Sequence, residues 1–229
     1  MEKQNKTAHN HDGHFQRLTQ KFEMGALQPH EVIELMIHQI VPRVNTNEQA
    51  HALIETSGGF CEMFNRSEES LLKVKGVGKK TALNIRLISE IIKIYLLEQC
   101  DTSRMLKNPE DLHNYLRAIY VGSYEETGYM LMFGKSGKFL GCEEIGKGLR
   151  NQGVISMKRA VNLAHKAGAA AVIIAHNHPD GIPVPSDVDV ETSKKLDIGF
   201  GNAGMRIHEH YVVAAGRCIP FSDKVNALK

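Results

Sequence analysis

The chain has 229 residues, 42% hydrophobic and 24% charged, enough for two modest domains that bury their own cores without a metal or disulfide staple. Four cysteines, Cys61, Cys100, Cys142 and Cys218, form no CxxC pair and no dense framework, which excludes a disulfide scaffold and reads as reduced thiols in a cytoplasmic protein. The net charge of +2 excludes a protein-wide electrostatic grip on nucleic acid, and the longest apolar run, Ala169 to Ala175, is far short of the ~20 residues of a membrane span. The polar N-terminus lacks a signal-peptide core, so neither a membrane partner nor secretion is expected. One oddity remains: 12 histidines and no tryptophan, which asks whether any histidine is placed to bind a metal or move a proton.

In chain order, residues 1–14 are polar, contain His9, His11 and His14, and predict a flexible tail. Residues 15–100 carry a helical pattern. The segment from His30 sets Val32, Leu35, Met36 and Ile40 on one face, Pro42 breaks it, and a new helix begins at Asn47. Another follows Ser67, and the longest, residues 81–97, places Leu83, Ile85, Leu87, Ile88, Ile91, Ile92 and Leu96 on a broad apolar face. An all-helical domain over 15–100 is the expectation. The polar stretch 101–110, with Pro109, is expected to link it to a second domain at 111–229. There a helix at 111–119, strands at 128–133 and 138–144, a helix at 157–166, a wholly apolar strand at 169–175, a helix from Ser186 and a strand at 208–214 predict an α/β (α+β) sandwich.

Between two of the N-terminal helices lies LLKVKGVGKKTALNI, residues 71–85. Gly76 and Gly78 permit a sharp turn and a close backbone approach, the following helix start points N–H groups outward, and Lys75, Lys79 and Lys80 add cationic partners for phosphate. Residues 65–95 hold seven Lys/Arg against three acids, whereas residues 1–100 balance at twelve each, so the basic charge is concentrated here. The segment resembles the helix-hairpin-helix, a sequence-tolerant binder of duplex or branched DNA; the alternative is a plain helical hairpin whose lysines form a solvated face or meet another protein.

At the end of the apolar strand come His176-Asn177-His178 and a Pro/Gly-rich loop leading to Ser186 and Asp189. Residues i and i+2 of an extended chain point the same way, so His176 and His178 present both imidazoles on one side and Asn177 points away. Asp189 falls in the first turn of the next helix. Two imidazoles and a carboxylate suit zinc and leave a fourth position for water, although Ser186 and Asp189 also have the spacing of a helix capping box.

The pattern HNHPDG, then Ser186, Asp189 and Thr192, is similar to the JAMM (MPN-type) metalloprotease signature and to the RadC (UPF0758-type) family in particular. GHFQRLTQKF from Gly13, VPRVNTNEQA from Val41, the hairpin and IHEHYVV from Ile207 resemble the corresponding stretches, so the likeness covers most of the chain. It implies a JAMM/MPN-like, cytidine-deaminase-like domain holding one Zn2+ on His176, His178 and Asp189, and hydrolysis of a peptide or isopeptide bond in an unknown protein substrate. It also implies an upstream glutamate that takes a proton from the activated water; the family's register puts Glu126 there, with Glu125 as the alternative, and has Ser186 donate to the oxyanion. The family's name further implies DNA repair or recombination, so a DNA-binding accessory protein without turnover, or a metal-stabilised scaffold, are the rival functions. Departures are Asp180 where the family has serine, Met157-Lys158-Arg159 in place of Pro-Arg-Glu, and Gly134 in place of aspartate; none removes a ligand. His208 and His210, though also two apart, read as structural because no partner acid or cysteine follows them.

Overall fold

A computed structural model describes residues 2–41, 46–148 and 156–222, and the chain divides into two compact units between Ile91 and Ile92. The first unit is helical among its described residues: α1 (Glu2–Glu23), α2 (Pro29–Ile40), α3 (Asn47–Ser57), α4 (Phe60–Met63), α5 (Glu68–Leu72) and α6 (Lys79–Glu98), which runs on past the division. Local chemistry sets several ends. Pro29 opens α2 behind a capping box of Gln28 and Glu31, the Ser67 hydroxyl accepts the Ser70 N–H at the start of α5, and Gly58, at φ 85°, closes α3 in the left-handed conformation glycine favours.

The core of this unit is built from Ile33, Ile37, Leu53, Met63, Leu71, Val74, Val77 and Ile85. It corrects two expectations. In α2 the buried apolar residues are Ile33 and Ile37, while Val32 is exposed; Glu34 is buried beside them because its carboxylate accepts from His14 Nε2 at 2.7 Å and Asn47 Nδ2 at 3.0 Å. In α6 the buried face is Thr81, Ala82, Ile85 and Ser89, with Leu83, Leu87 and Ile91 exposed. Ser89 enters this core with its hydroxyl satisfied, Oγ donating to the carbonyls of Phe64 and Ile85, whereas Thr81 Oγ1 is buried with no hydrogen-bond partner among the described residues. A helix from Glu2 occupies the stretch whose polarity predicts a tail. The expected break at Pro42 lies outside the described residues. Residues 101–108, expected as part of a linker, carry turns, and Met105 is buried in the core of the second unit.

The second unit contains α7 (Pro109–Ile119), β1 (Thr127–Phe133), β2 (Phe139–Lys147), α8 (Met157–Lys166), β3 (Ala171–Asn177), α9 (Asp187–Asn202), β4 (Arg206–Ala214) and β5 (Arg217–Pro220). Its sheet has the order β2-β1-β3-β4-β5, antiparallel except where β4 lies parallel to β3 after the α9 crossover. This is the mixed α/β architecture that the alternating pattern predicts; the short β5 had no signal of its own.

Side chains alternate across the two central strands. Leu131, Phe133, Ile173 and Ala175 pack under Leu112, Leu116 and Ile119 of α7, while Met130, Met132, Val172 and Ile174 pack against Ala160 and Ala164 of α8 and Leu196 and Phe200 of α9. Burial on both faces explains why β3 reads as a continuous apolar run. The same period of two carries His176 to the α9 side, and the register of Ile174 opposite His210 brings His210 to that side too.

Candidate metal centre

β3 ends in the site. His176 is its penultimate residue, 2% exposed, and His178 follows just beyond the strand with its N–H donated to the carbonyl of Val213. The turn behind it is locked. Asp180 Oδ1 accepts from the Ile182 N–H at 3.1 Å, and the Ile182 carbonyl in turn accepts from His178 Nδ1 at 2.8 Å. A carbonyl only accepts, so Nδ1 carries a proton and Nε2 is the nitrogen that faces inward. Asp180 therefore shapes the turn that orients His178.

Ser186 is the N-cap of α9 and Asp189 its third residue, and the capping box is complete: the Ser186 hydroxyl accepts from the Asp189 N–H at 3.2 Å while Asp189 Oδ2 accepts from the Ser186 N–H at 2.7 Å and its hydroxyl at 2.6 Å. The two readings of that spacing coexist, because Asp189 Oδ1 also lies 3.5 Å from His176 Nε2 and Oδ2 lies 3.5 Å from His178 Nε2. Burial pushes the Asp189 carboxyl up, yet hydrogen bonds from His176, His178 and Ser186 more than offset it and hold the group well below the usual carboxylate range. The Asp189 hydrogen bond raises the pKa of His178.

Glu126 completes the cluster. Ligand atoms of Glu126, His176, His178 and Asp189 all lie within 4.8 Å of one another. Glu125, its neighbour, is not in this group; its carboxylate lies 3.9 Å from Lys147 Nζ. The donor chemistry fits a cation: the Nε2 atoms of His176 and His178 stand 3.1 Å apart beside a carboxylate, and two lone pairs facing at that distance repel unless a proton or a metal ion lies among them. Two nitrogens and an oxygen are a zinc-type set.

Two residues outside the sequence-predicted set hold this constellation. Asn177 points away from the histidines, as expected, and is put to use there: its Oδ1 accepts from the Thr127 N–H at 2.8 Å and its Nδ2 donates to the Glu125 carbonyl at 3.2 Å, bracketing Glu126. β1 and β3 pair backbone to backbone only as far as Gly128 and His176, so the Asn177 amide supplies the next rung and fixes where Glu126 leaves the sheet. Asn177→Ala is expected to lower stability by about 1–3 kcal/mol, the cost of stranding the buried Thr127 N–H, measured by urea unfolding. Asn177→Asp, which keeps the acceptor, should recover part of that loss; an unchanged midpoint in the alanine variant would show the bracket to be dispensable.

His210 is the second. Its Nε2 lies 3.1 Å from His176 Nδ1, Phe221 stacks on its ring at 4.0 Å, and among the described residues its Nδ1 has no hydrogen-bond partner. Burial, then the neighbouring His176, drives its pKa well below the ordinary imidazole value, so it stays neutral and accepts. His210 is structural, and its partner is not an acid or cysteine but His176, set beside it by the parallel pairing of β3 and β4.

The hairpin residues lie together on the first unit. Lys75, Gly76, Gly78, Lys79 and Lys80 are all exposed around the start of α6, with Gly76 at φ 85°, and buried Val74 and Val77 anchor the loop to the core.

Comparison with known proteins agrees with this architecture. A family model described as RadC-like JAB domain matches residues 106–226, which include β1 through β5 and all four clustered side chains. The chain is similar to UPF0758 proteins of Pseudoalteromonas translucida and Vibrio campbellii, each 26% identical over 199 residues that span 87% of this chain and 89% of the relative. A third, from Vibrio vulnificus, is 25% identical over the same share of each chain. With its sheet, its two-histidine turn and its capped aspartate matched over more than half of its length, the chain belongs to the RadC family.

Proposed function

We propose that the chain is a zinc-dependent hydrolase of peptide or isopeptide bonds, holding the metal with His176, His178 and Asp189. The observation that supports this best is the convergence of two inward imidazole nitrogens and two carboxylates within 4.8 Å at the end of a rigid central strand. When bound, zinc brings the pKa of water towards ~7 and polarises a carbonyl. Everything else falls to this chain's own residues. Glu126 takes the proton from the attacking water and passes it to the leaving amine, from a position fixed by Asn177. At rest the Ser186 hydroxyl donates a hydrogen bond to Asp189, and turning that O–H towards the developing oxyanion costs one contact while the hydrogen bond that Oγ accepts from the Asp189 N–H stays in place. His210 holds the ring of His176, and the Ile182 carbonyl that of His178.

The test is to retain proteins from a cell extract on the zinc-loaded Glu126→Gln chain and offer them to the wild type. Zinc-dependent cleavage of a retained protein supports the reading; a wild-type chain that takes up no metal, or that cleaves none of the retained proteins when loaded, overturns it.

The exposed lysine hairpin favours a second reading for the first unit, contact with the backbone of duplex or branched DNA. No acidic residue stands in the first turn of α6 to offset Lys79 and Lys80. Replacing both lysines by glutamate should weaken duplex binding and flatten the slope of log affinity against log salt by about 1 per lysine, read by anisotropy of a labelled duplex. Unchanged binding would assign the hairpin to protein contacts.

A further inference from the structure

Helix α6 carries an exposed apolar row along its length. Leu83 is 64% exposed, Leu87 55%, Ile91 56% and Ile94 51%, with Tyr95 beside them at 62%. Lys80 and Glu98, both exposed, continue the same row at its two ends. From Lys80 to Glu98 is 18 residues in five steps of three or four, a mean of 3.6, so the row runs straight along the helix without drifting around it. A straight strip of aliphatic side chains about 17 Å long, from Leu83 to Ile94, is more apolar surface than scattered exposed leucines account for.

We propose that this face pairs with the same face of a second copy of the chain, the two α6 helices running antiparallel. The row is complementary to its own reverse. Turned end for end about Ser89, which is buried on the opposite side, Leu87 meets Ile91 of the other copy, Leu83 meets Ile94 and Tyr95, and Lys80 meets Glu98. Both halves of the twofold contact are then identical, two ion pairs closing a continuous apolar seam. A parallel pair would set Lys80 against Lys80 and Glu98 against Glu98, so the terminal charges select the antiparallel arrangement. That same charge pattern singles out a second copy as the occupant: a foreign helix has no reason to match a strip that already matches itself.

Sedimentation of the full chain, free of DNA, over an about 100-fold concentration range tests this. The wild type should shift from one chain to two. Leu87→Lys and, separately, Ile91→Lys should remain single chains with unchanged circular dichroism; neither residue belongs to the hairpin set or the metal cluster. Glu98→Lys should weaken association about tenfold, as should Lys80→Glu, whereas an equimolar mixture of those two single variants, which restores both ion pairs, should associate like the wild type. A wild type that stays a single chain throughout, a dimer that survives both lysine substitutions in the seam, or a mixture no better than its components overturns the proposal.

Discussion

His178→Ala is expected to leave the purified chain with less than about a tenth of an equivalent of zinc, against about one for the wild type. Three protein ligands are the smallest set that holds a catalytic zinc, and removing one leaves His176 and Asp189, a pair with no closed geometry around an ion. Besides the ligand, the substitution removes the Nδ1 hydrogen bond to the Ile182 carbonyl and leaves the main-chain bonds of the turn. The backbone bonds from the His178 N–H to Val213 and from the Gly181 N–H to the His178 carbonyl survive in alanine, so the loop keeps its path and the loss is chemical. His210→Ala provides the graded comparison. It deletes the support behind His176 without deleting a ligand, and losses for such supports run at about 10–100-fold in metal affinity. Metal analysis after dialysis, followed by zinc titration of the stripped protein, separates the two cases. A full equivalent retained by His178→Ala would remove His178 from the ligand set, and an unaltered affinity in His210→Ala would reduce that residue to packing.

How far the sequence reaches is visible in the same residues. His176, His178, Ser186 and Asp189 lie within fourteen positions, and their arrangement depends on one strand end, one stiff loop and one helix start, each with a local signal. Glu126 is fifty residues upstream of His176 and no spacing rule reaches it; it was legible only through resemblance to a family. Asn177 and His210 were not legible as supports. The role of each arises from pairing between strands distant in sequence, β1 with β3 and β3 with β4, and register across a sheet leaves no trace in a local pattern. The helical unit shows the complementary failure. A helix that is apolar on more than one side, such as α6, does not say which side is buried, and small hydroxyl residues such as Thr81 and Ser89 won places in the core that the larger aliphatics were expected to take. Glu34 defeats a hydrophobicity reading outright, because its burial depends on His14 and Asn47, twenty and thirteen positions away.

Glu126→Gln should separate binding from chemistry. Glutamine keeps the length, shape and one acceptor oxygen of glutamate and cannot take up a proton at neutral pH, so the Asn177 bracket on the flanking backbone and the metal ligands are untouched. The zinc content should therefore match the wild type, while kcat on a substrate recovered by the trap falls about 10²–10⁴-fold with little change in KM, as expected for a group that acts only in the transition state. Glu125→Gln is the partner experiment. The Glu125 carboxylate faces Lys147, and the contribution of Glu125 to the site is its backbone carbonyl, which the substitution preserves, so its rate should stay within about twofold of wild type. The pair of variants reads each alternative differently. Loss of zinc in Glu126→Gln would make Glu126 a ligand, loss of rate in Glu125→Gln would move the base by one residue, and full activity in both would show that neither carboxylate carries the proton.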